Sequence, residues 1–188
     1  NNYGLSNKKI SFQNKNKFLN YLKKNKINQL DWSFDYSNSY NSLNLFKKKR
    51  FFIDTKINNN NIFKNLNFLN KMIDEGYKFK TIYIRSPELL TNRQIIYIYN
   101  VLERYKAFKL INKIGYSIYD IDVLYSRDFP LPDTIQLPLN IFDQRFLLNP
   151  YYDVCQKNNI EIIARSIFLQ GKLVNFQNIN FHSYEKYY

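Results

Sequence analysis

Two hydrophobic rhythms alternate along the chain. Segments whose apolar residues recur every three or four positions are followed by short, β-prone apolar runs. The first helical segment carries Phe12, Phe18, Leu19 and Leu22 on one face with lysines and asparagines opposite, and Ser11 suits its N-cap. Residues 27–32 read as a strand and 51–56 as the next. A helix over 61–75 puts Ile62, Leu66, Leu69, Met72 and Ile73 on one side, and Gly76 can end it. Residues 81–85 form a third strand. Asn92 can cap a helix to about residue 105, after which come a strand at 113–117, a short helix at 121–125 and a strand at 134–137. Pro150 opens one more helix, 161–164 is the last clear strand, and the tail from 171 has no period.

Strands alternating with helices at this spacing imply parallel βαβ units, and six of them fit either an open doubly wound sheet or an arc of a barrel. The pattern does not choose between the two. No G-x-G-x-x-G or Walker sequence occurs, and four glycines are too few for a rich phosphate-cradling loop, which weakens the doubly wound nucleotide-binding option. No linker divides the chain, so a single domain over 1–188 is expected.

Composition adds a charge problem. With 28 Lys and Arg against 15 Asp and Glu, the formal charge is +13, which invites a polyanion-binding reading. Asn, Lys, Ile, Tyr and Phe crowd the chain while alanine occurs only at Ala107 and Ala164, a usage expected of A- and T-rich coding sequence that would supply lysines without selection for them. The excess is confined to the first half: residues 1–80 carry 16 basic and 5 acidic side chains, whereas 81–188 carry 12 and 10. The run Lys47-Lys48-Lys49-Arg50 and the pair Lys23-Lys24 are its densest parts. A single cysteine, Cys155, excludes a disulfide framework and reads as a core or boundary thiol; the lone His182 makes no metal site. No run approaches the ~18 apolar residues of a membrane span, and the first residues are no signal peptide, so a cytoplasmic chain without a membrane partner is expected. The absence of an initial Met suggests a start inside a longer protein.

Candidate chemistry gathers at the C-terminal ends of the strands, where a βα barrel builds its site. Asp31 and Tyr36 follow the first strand in Leu30-Asp31-Trp32-Ser33-Phe34-Asp35-Tyr36, Lys56 ends the second in Asp54-Thr55-Lys56, and Arg85 ends the third in Ile84-Arg85-Ser86-Pro87. A lysine cation beside a tyrosine hydroxyl lowers its pKa, and a carboxylate holds the lysine in place. Tyr36 is thereby a candidate proton donor to a carbonyl oxygen.

These strand ends resemble the aldo-keto reductases, NAD(P)-dependent (β/α)8 barrels. The likeness extends to Ile114-Gly115-Tyr116-Ser117-Ile118-Tyr119, Ile135-Gln136-Leu137-Pro138-Leu139-Asn140 with Asp143-Gln144-Arg145, and Ala164-Arg165-Ser166-Ile167-Phe168-Leu169-Gln170-Gly171, similar to the family's fifth, sixth and seventh strands in order and separation. The resemblance implies an incomplete TIM barrel in the α/β class with six parallel strands, the second to the seventh of the family. It implies reduction of a small-molecule carbonyl with NADPH or NADH, Asp31, Tyr36, Lys56 and Arg85 being the catalytic positions. Ser117 and Gln136 fall where members bind the nicotinamide carboxamide, and Arg165 and Ser166, with Asn140, lie near the cofactor.

Three departures qualify that expectation. Members keep a histidine where Arg85 stands; a guanidinium can stabilise an oxyanion but exchanges no proton near neutral pH. The common pattern also stacks a tyrosine on the nicotinamide at the place of Arg165. The family's first strand would precede Asn1 and its eighth would follow Gly171, so a fragment of a longer reductase, with unpaired sheet edges and low stability alone, is expected. Catalysis by this chain is therefore left open. The rival readings are a basic nucleic-acid-binding module, disfavoured because no zinc finger, RNA-recognition aromatic motif or helix-turn-helix accompanies the lysines, and a non-catalytic barrel remnant mediating protein contacts. No metal is expected, and substrate, cofactor preference and oligomeric state stay open.

Overall fold

The structure, a computed structural model, describes residues 12–34, 40–119, 130–148 and 150–174. Helix α1 (Phe12–Lys24) leads to β1 (Gln29–Asp31), α2 (Tyr40–Lys48) to β2 (Phe52–Ile57), α3 (Ile62–Asp74) to β3 (Lys78–Arg85) and α4 (Asn92–Ala107) to β4 (Lys113–Ser117). Strand β5 (Thr134–Pro138), α5 (Tyr151–Lys157) and β6 (Glu161–Arg165) follow. Each expected strand is present, β4 with the expected bounds and the others with ends shifted by up to three residues.

The six strands are all parallel and lie in the order β1-β2-β3-β4-β5-β6. A doubly wound sheet reverses its strand order part-way; this one never does. It also curls. Gln136 on β5 donates through Nε2 to Asp31 on β1 at 3.3 Å, although four strand spacings across a flat sheet would separate them by roughly 19 Å. The sheet is a half-barrel whose inner face closes on itself.

The outer face is aliphatic. Ile53, Ile57, Ile82, Ile84, Ile114, Ile135 and Leu137 pack against Leu66, Leu69 and Met72 of α3 and Ile95, Ile98 and Leu102 of α4, all essentially removed from water. The inner face of the same strands carries buried polar groups: Asp54, Lys56, Thr81, Ser117, Thr134 and Gln136. Gly115 is required there by close approach. A Cβ on it would collide with the Tyr83 ring and sit 2.9 Å from Thr134 Cγ2, so the missing side chain lets Tyr83 lie across β4 inside the barrel.

The five helices end alike. After α1, α2, α3, α4 and α5 a residue with positive φ (Lys26, Arg50, Gly76, Lys109 and Asn159) closes paired hydrogen bonds back onto the last turn and turns the chain into the next strand or its approach. Gly76 takes this conformation, φ 82°, without penalty; Lys26, Arg50 and Lys109 take it at a cost of about 1–2 kcal/mol each.

Several expectations change. Helix α2 was not anticipated, because Tyr-Asn-Ser-Leu-Asn-Leu-Phe-Lys-Lys has only three aliphatic or phenylalanine positions among polar ones. The cap of α4 is Thr91 rather than Asn92: its Oγ1 accepts from Gln94 N while Gln94 Oε1 accepts from Thr91 N. On α1, Leu19 and Leu22 are buried but Phe18 is exposed. The expected helix at 121–125, Ser11, Tyr36 and the tail with His182 lie outside the described residues. Among the described residues no helix is long and apolar enough to cross a membrane.

Candidate active site

The inner face at the C-terminal ends of the strands holds a chain of hydrogen bonds. Lys56 Nζ donates to both carboxylate oxygens of Asp31, at 2.6 and 2.8 Å. The lysine side chain is 10% exposed and the aspartate 42%, so the cation is largely desolvated while the anion is still partly hydrated. Tyr83 lies below, its ring centroid 5.8 Å from Lys56 Nζ. Burial pushes the Tyr83 hydroxyl well above the usual phenol range, with the charge of Asp54 adding to it, so Tyr83 stays protonated and serves as wall.

From Asp31 the chain continues to Gln136 and on to Ser117, whose Oγ donates to Gln136 Oε1 at 3.3 Å. Ser117 and Gln136 are register partners on β4 and β5. Together they offer a hydroxyl and a primary amide on one buried strip, the donor and acceptor set that a carboxamide needs for its carbonyl and its NH2. That donor set fits the carboxamide end of a nicotinamide.

Arg85 ends β3 at the rim, half-buried, with Nη1 3.5 Å from Asn58 Oδ1, at the outer limit of a hydrogen bond. Asn58 is itself fixed, since its backbone N–H donates to Asn65 Oδ1 at 3.0 Å. Ser86 then adopts φ 45° and donates its N–H to Ser117 O at 2.8 Å, tying the β3 and β4 ends together. On the other side Arg165 ends β6, donates through Nη2 to Ile118 O at 3.0 Å, and sets its guanidinium 3.8 Å from the Tyr119 ring centroid. Ser166 has φ 58°, and its carbonyl accepts from Asn140 Nδ2 at 3.3 Å. Asp31, Lys56, Ser117 and Gln136 are thus in one network, Arg85 and Arg165 flank it, and Tyr36 lies outside the described residues.

The family model for the aldo/keto reductases matches residues 1–186. The chain belongs to the aldo/keto reductase family. Solved aldo-keto reductases share its fold: one from a Medee basin deep-sea metagenome library (18% identity, 92% of this chain and 66% of that one, TM-score 0.66), one from Brucella melitensis (16%, 92% and 69%, 0.62), and one complexed with NADPH (18%, 87% and 56%, 0.59). The chain therefore spans between 56% and 69% of the length of these reductases. Comparison with curated protein sequences gave no match.

Sequence reasoning missed several neighbours of the reductase-like site. Asn58 and Tyr119, which meet the two arginines, sit beyond strand ends where no periodicity marks them. A second polar layer beneath Lys56 was also missed: Asp54 accepts from Gln29 Nε2 and from the Thr81 backbone N–H (3.0 Å), and Gln29 Oε1 in turn accepts from Lys80 Nζ at 2.6 Å. A β-bulge between Ile53 and Asp54 in the β2–β3 pairing, which skips Lys80, makes this layer. No sequence signal marks a bulge there. Among the described residues no group of three or more His, Cys, Asp or Glu could hold a metal ion.

Proposed function

We propose that the protein is an NAD(P)H-dependent carbonyl reductase in which Tyr36 is the proton donor. The observation that supports this most is the ion pair of Lys56 with Asp31, buried on the lysine side and joined through Gln136 to Ser117. When bound, the nicotinamide supplies the hydride for the carbonyl carbon. Ser117 and Gln136 would hold its carboxamide. Lys56, held by Asp31, stabilises the tyrosinate left when Tyr36 gives its proton to the carbonyl oxygen, and so draws the Tyr36 pKa toward neutrality. The product is an alcohol, with the hydride on carbon and the tyrosine proton on oxygen. Arg85, in place of the family's histidine, polarises the carbonyl as a fixed cation and transfers no proton.

The test is oxidation of NADPH or NADH by the full-length protein with a panel of aldehydes and ketones. Tyr36→Phe is expected to abolish turnover and Lys56→Met to lower it at least ~100-fold, the scale of an acid or base contribution, with cofactor affinity kept in both. Arg85→His is expected to retain or raise the rate. Unchanged turnover in Tyr36→Phe would remove the assignment.

A further inference from the structure

The two basic segments, 24 residues apart in sequence, meet in space. Lys23 Nζ donates to Arg50 O at 3.0 Å and Lys49 Nζ to Asn20 Oδ1 at 2.7 Å, which joins the ends of α1 and α2; Lys47 donates to Glu75 O at the end of α3. All are at the N-terminal end of the sheet, where every helix turns into a strand, opposite the Asp31–Lys56 site. The exposed cations there include Lys24, Lys26, Lys47, Lys48, Arg50 and Lys78, against Asp74 and Glu75. Farther round the same end, beside β4, β5 and β6, two of the cations are matched: Lys106 pairs with Asp133 at 2.7 Å and Lys113 with Glu161 at 2.9 Å, while Lys109 and Lys157 are exposed. The positive excess is greatest in the sector at the ends of α1, α2 and α3.

That sector also exposes apolar loop tips. Ile27 follows Lys26 and is 46% exposed, and Phe108 and Leu110 flank Lys109 at 75% and 40%. The α4–β4 loop lies against the start of β3, Asn112 N donating to Lys80 O at 2.9 Å, so it borders the basic sector directly. At three of the five helix ends on this face a Lys or Arg holds the left-handed position that glycine holds at Gly76.

We propose that this face docks on an anionic phospholipid surface, with Phe108, Leu110 and Ile27 entering the headgroup boundary and the surrounding lysines neutralising lipid charge. Charge complementarity calls for a polyanion. The side chains at the tips favour one of them: Leu110 and Ile27 partition into acyl chains but have no flat face to stack on a base, the single ring of Phe108 suits a headgroup boundary, and lysines dominate over arginines, as point-charge attraction to headgroups requires no bidentate geometry. Docking this way leaves the opposite end of the barrel open to small molecules. It sets aside the expectation of no membrane partner.

The test is co-sedimentation of the full-length protein with vesicles of phosphatidylcholine containing roughly a third phosphatidylserine, at low salt. Binding is expected, weakened at least about tenfold on phosphatidylcholine alone and lost near ~0.5 M salt. Lys24→Ala with Lys48→Ala, both exposed, is expected to weaken it about 25-fold, at roughly fivefold per lysine. Phe108→Ser, at an exposed position, should weaken it about tenfold while the circular dichroism spectrum is unchanged. No sedimentation with anionic vesicles, equal sedimentation with neutral ones, or tighter binding to a single-stranded RNA oligonucleotide that Phe108→Ser leaves intact would each overturn the proposal.

Discussion

The two faces of the curled sheet, made by alternate residues of the same strands, are built on opposite terms. Parallel strands covered on both sides ordinarily read as continuous apolar runs. Here the outer face does so, with Ile53, Ile57, Ile82, Ile84, Ile114 and Ile135 against helices, while the inner face near the site carries Asp54, Lys56, Thr81, Ser117 and Gln136 beside Tyr83. An aliphatic residue needs only the right volume beside it. A buried polar group needs a particular partner, since leaving one unsatisfied costs about 1–3 kcal/mol. The inner face is accordingly specified by pairs far apart in the chain, Asp31 with Lys56 and Asp31 with Gln136, and its tolerance of change should differ from that of the outer face.

The largest expected effect is on the outer face. Ile82 is fully buried between the sheet and its helices, and Ile82→Ala should lose about 2–5 kcal/mol in urea unfolding, from lost transfer energy plus the cavity left behind. Lys56→Met, at the inner face, should change stability by less than ~1 kcal/mol, because Asp31 is exposed enough to be hydrated alone. Equal losses in the two variants would erase the distinction between the faces.

An intermediate effect is expected where the inner face is tightest. Gly115→Ala forces the Tyr83 ring or Thr134 to move, an overpacking worth about 1–3 kcal/mol. The sharper form is Gly115→Ala combined with Tyr83→Leu, which makes room for the new methyl. If the double variant is no more stable than Gly115→Ala alone, the glycine serves something other than the ring.

What was legible in the chain follows the same division. The strands announced themselves because the outer face is repetitive: β4 was bounded to the residue, and β2 and β5 to within one, by their isoleucines and leucines. Helix α2 was invisible because Leu43, Leu45 and Phe46 are too few among asparagine and lysine to set a period. At the site, Asp31 and Lys56 stood out because polar residues interrupt apolar strands at their ends, and Ser117 and Gln136 through the likeness of their strands to the family's. Their joining into one network was not legible, since it depends on curvature that brings β5 to β1. The layer of Gln29, Asp54 and Lys80 was hidden because a bulge, which leaves no trace in the pattern, creates it. The lysine runs gave the reverse lesson: they read as composition, and only the helix ends that carry them put Lys23 beside Arg50.

The hidden layer supplies the smallest and most specific test. Burial raises the Asp54 carboxyl above its usual range, and the nearby charge of Asp31 raises it further, while the hydrogen bonds from Gln29 and Thr81 pull it partly back. The folded protein therefore binds this proton more tightly than the unfolded chain does. Below the unfolded value of about 4 both states are protonated and Asp54 adds no pH dependence; as pH rises from there through the folded value, the native state loses stability, and the loss is complete above it. Asp54→Asn keeps an acceptor for the Thr81 N–H and removes the ionisation. Urea unfolding across pH 4 to 8 should then show a gentler decline for the variant than for the parent, with the two curves drawing together toward acid. Parallel curves would mean that Asp54 is as well solvated as an outer carboxylate, and that the polar inner face extends no deeper than Lys56.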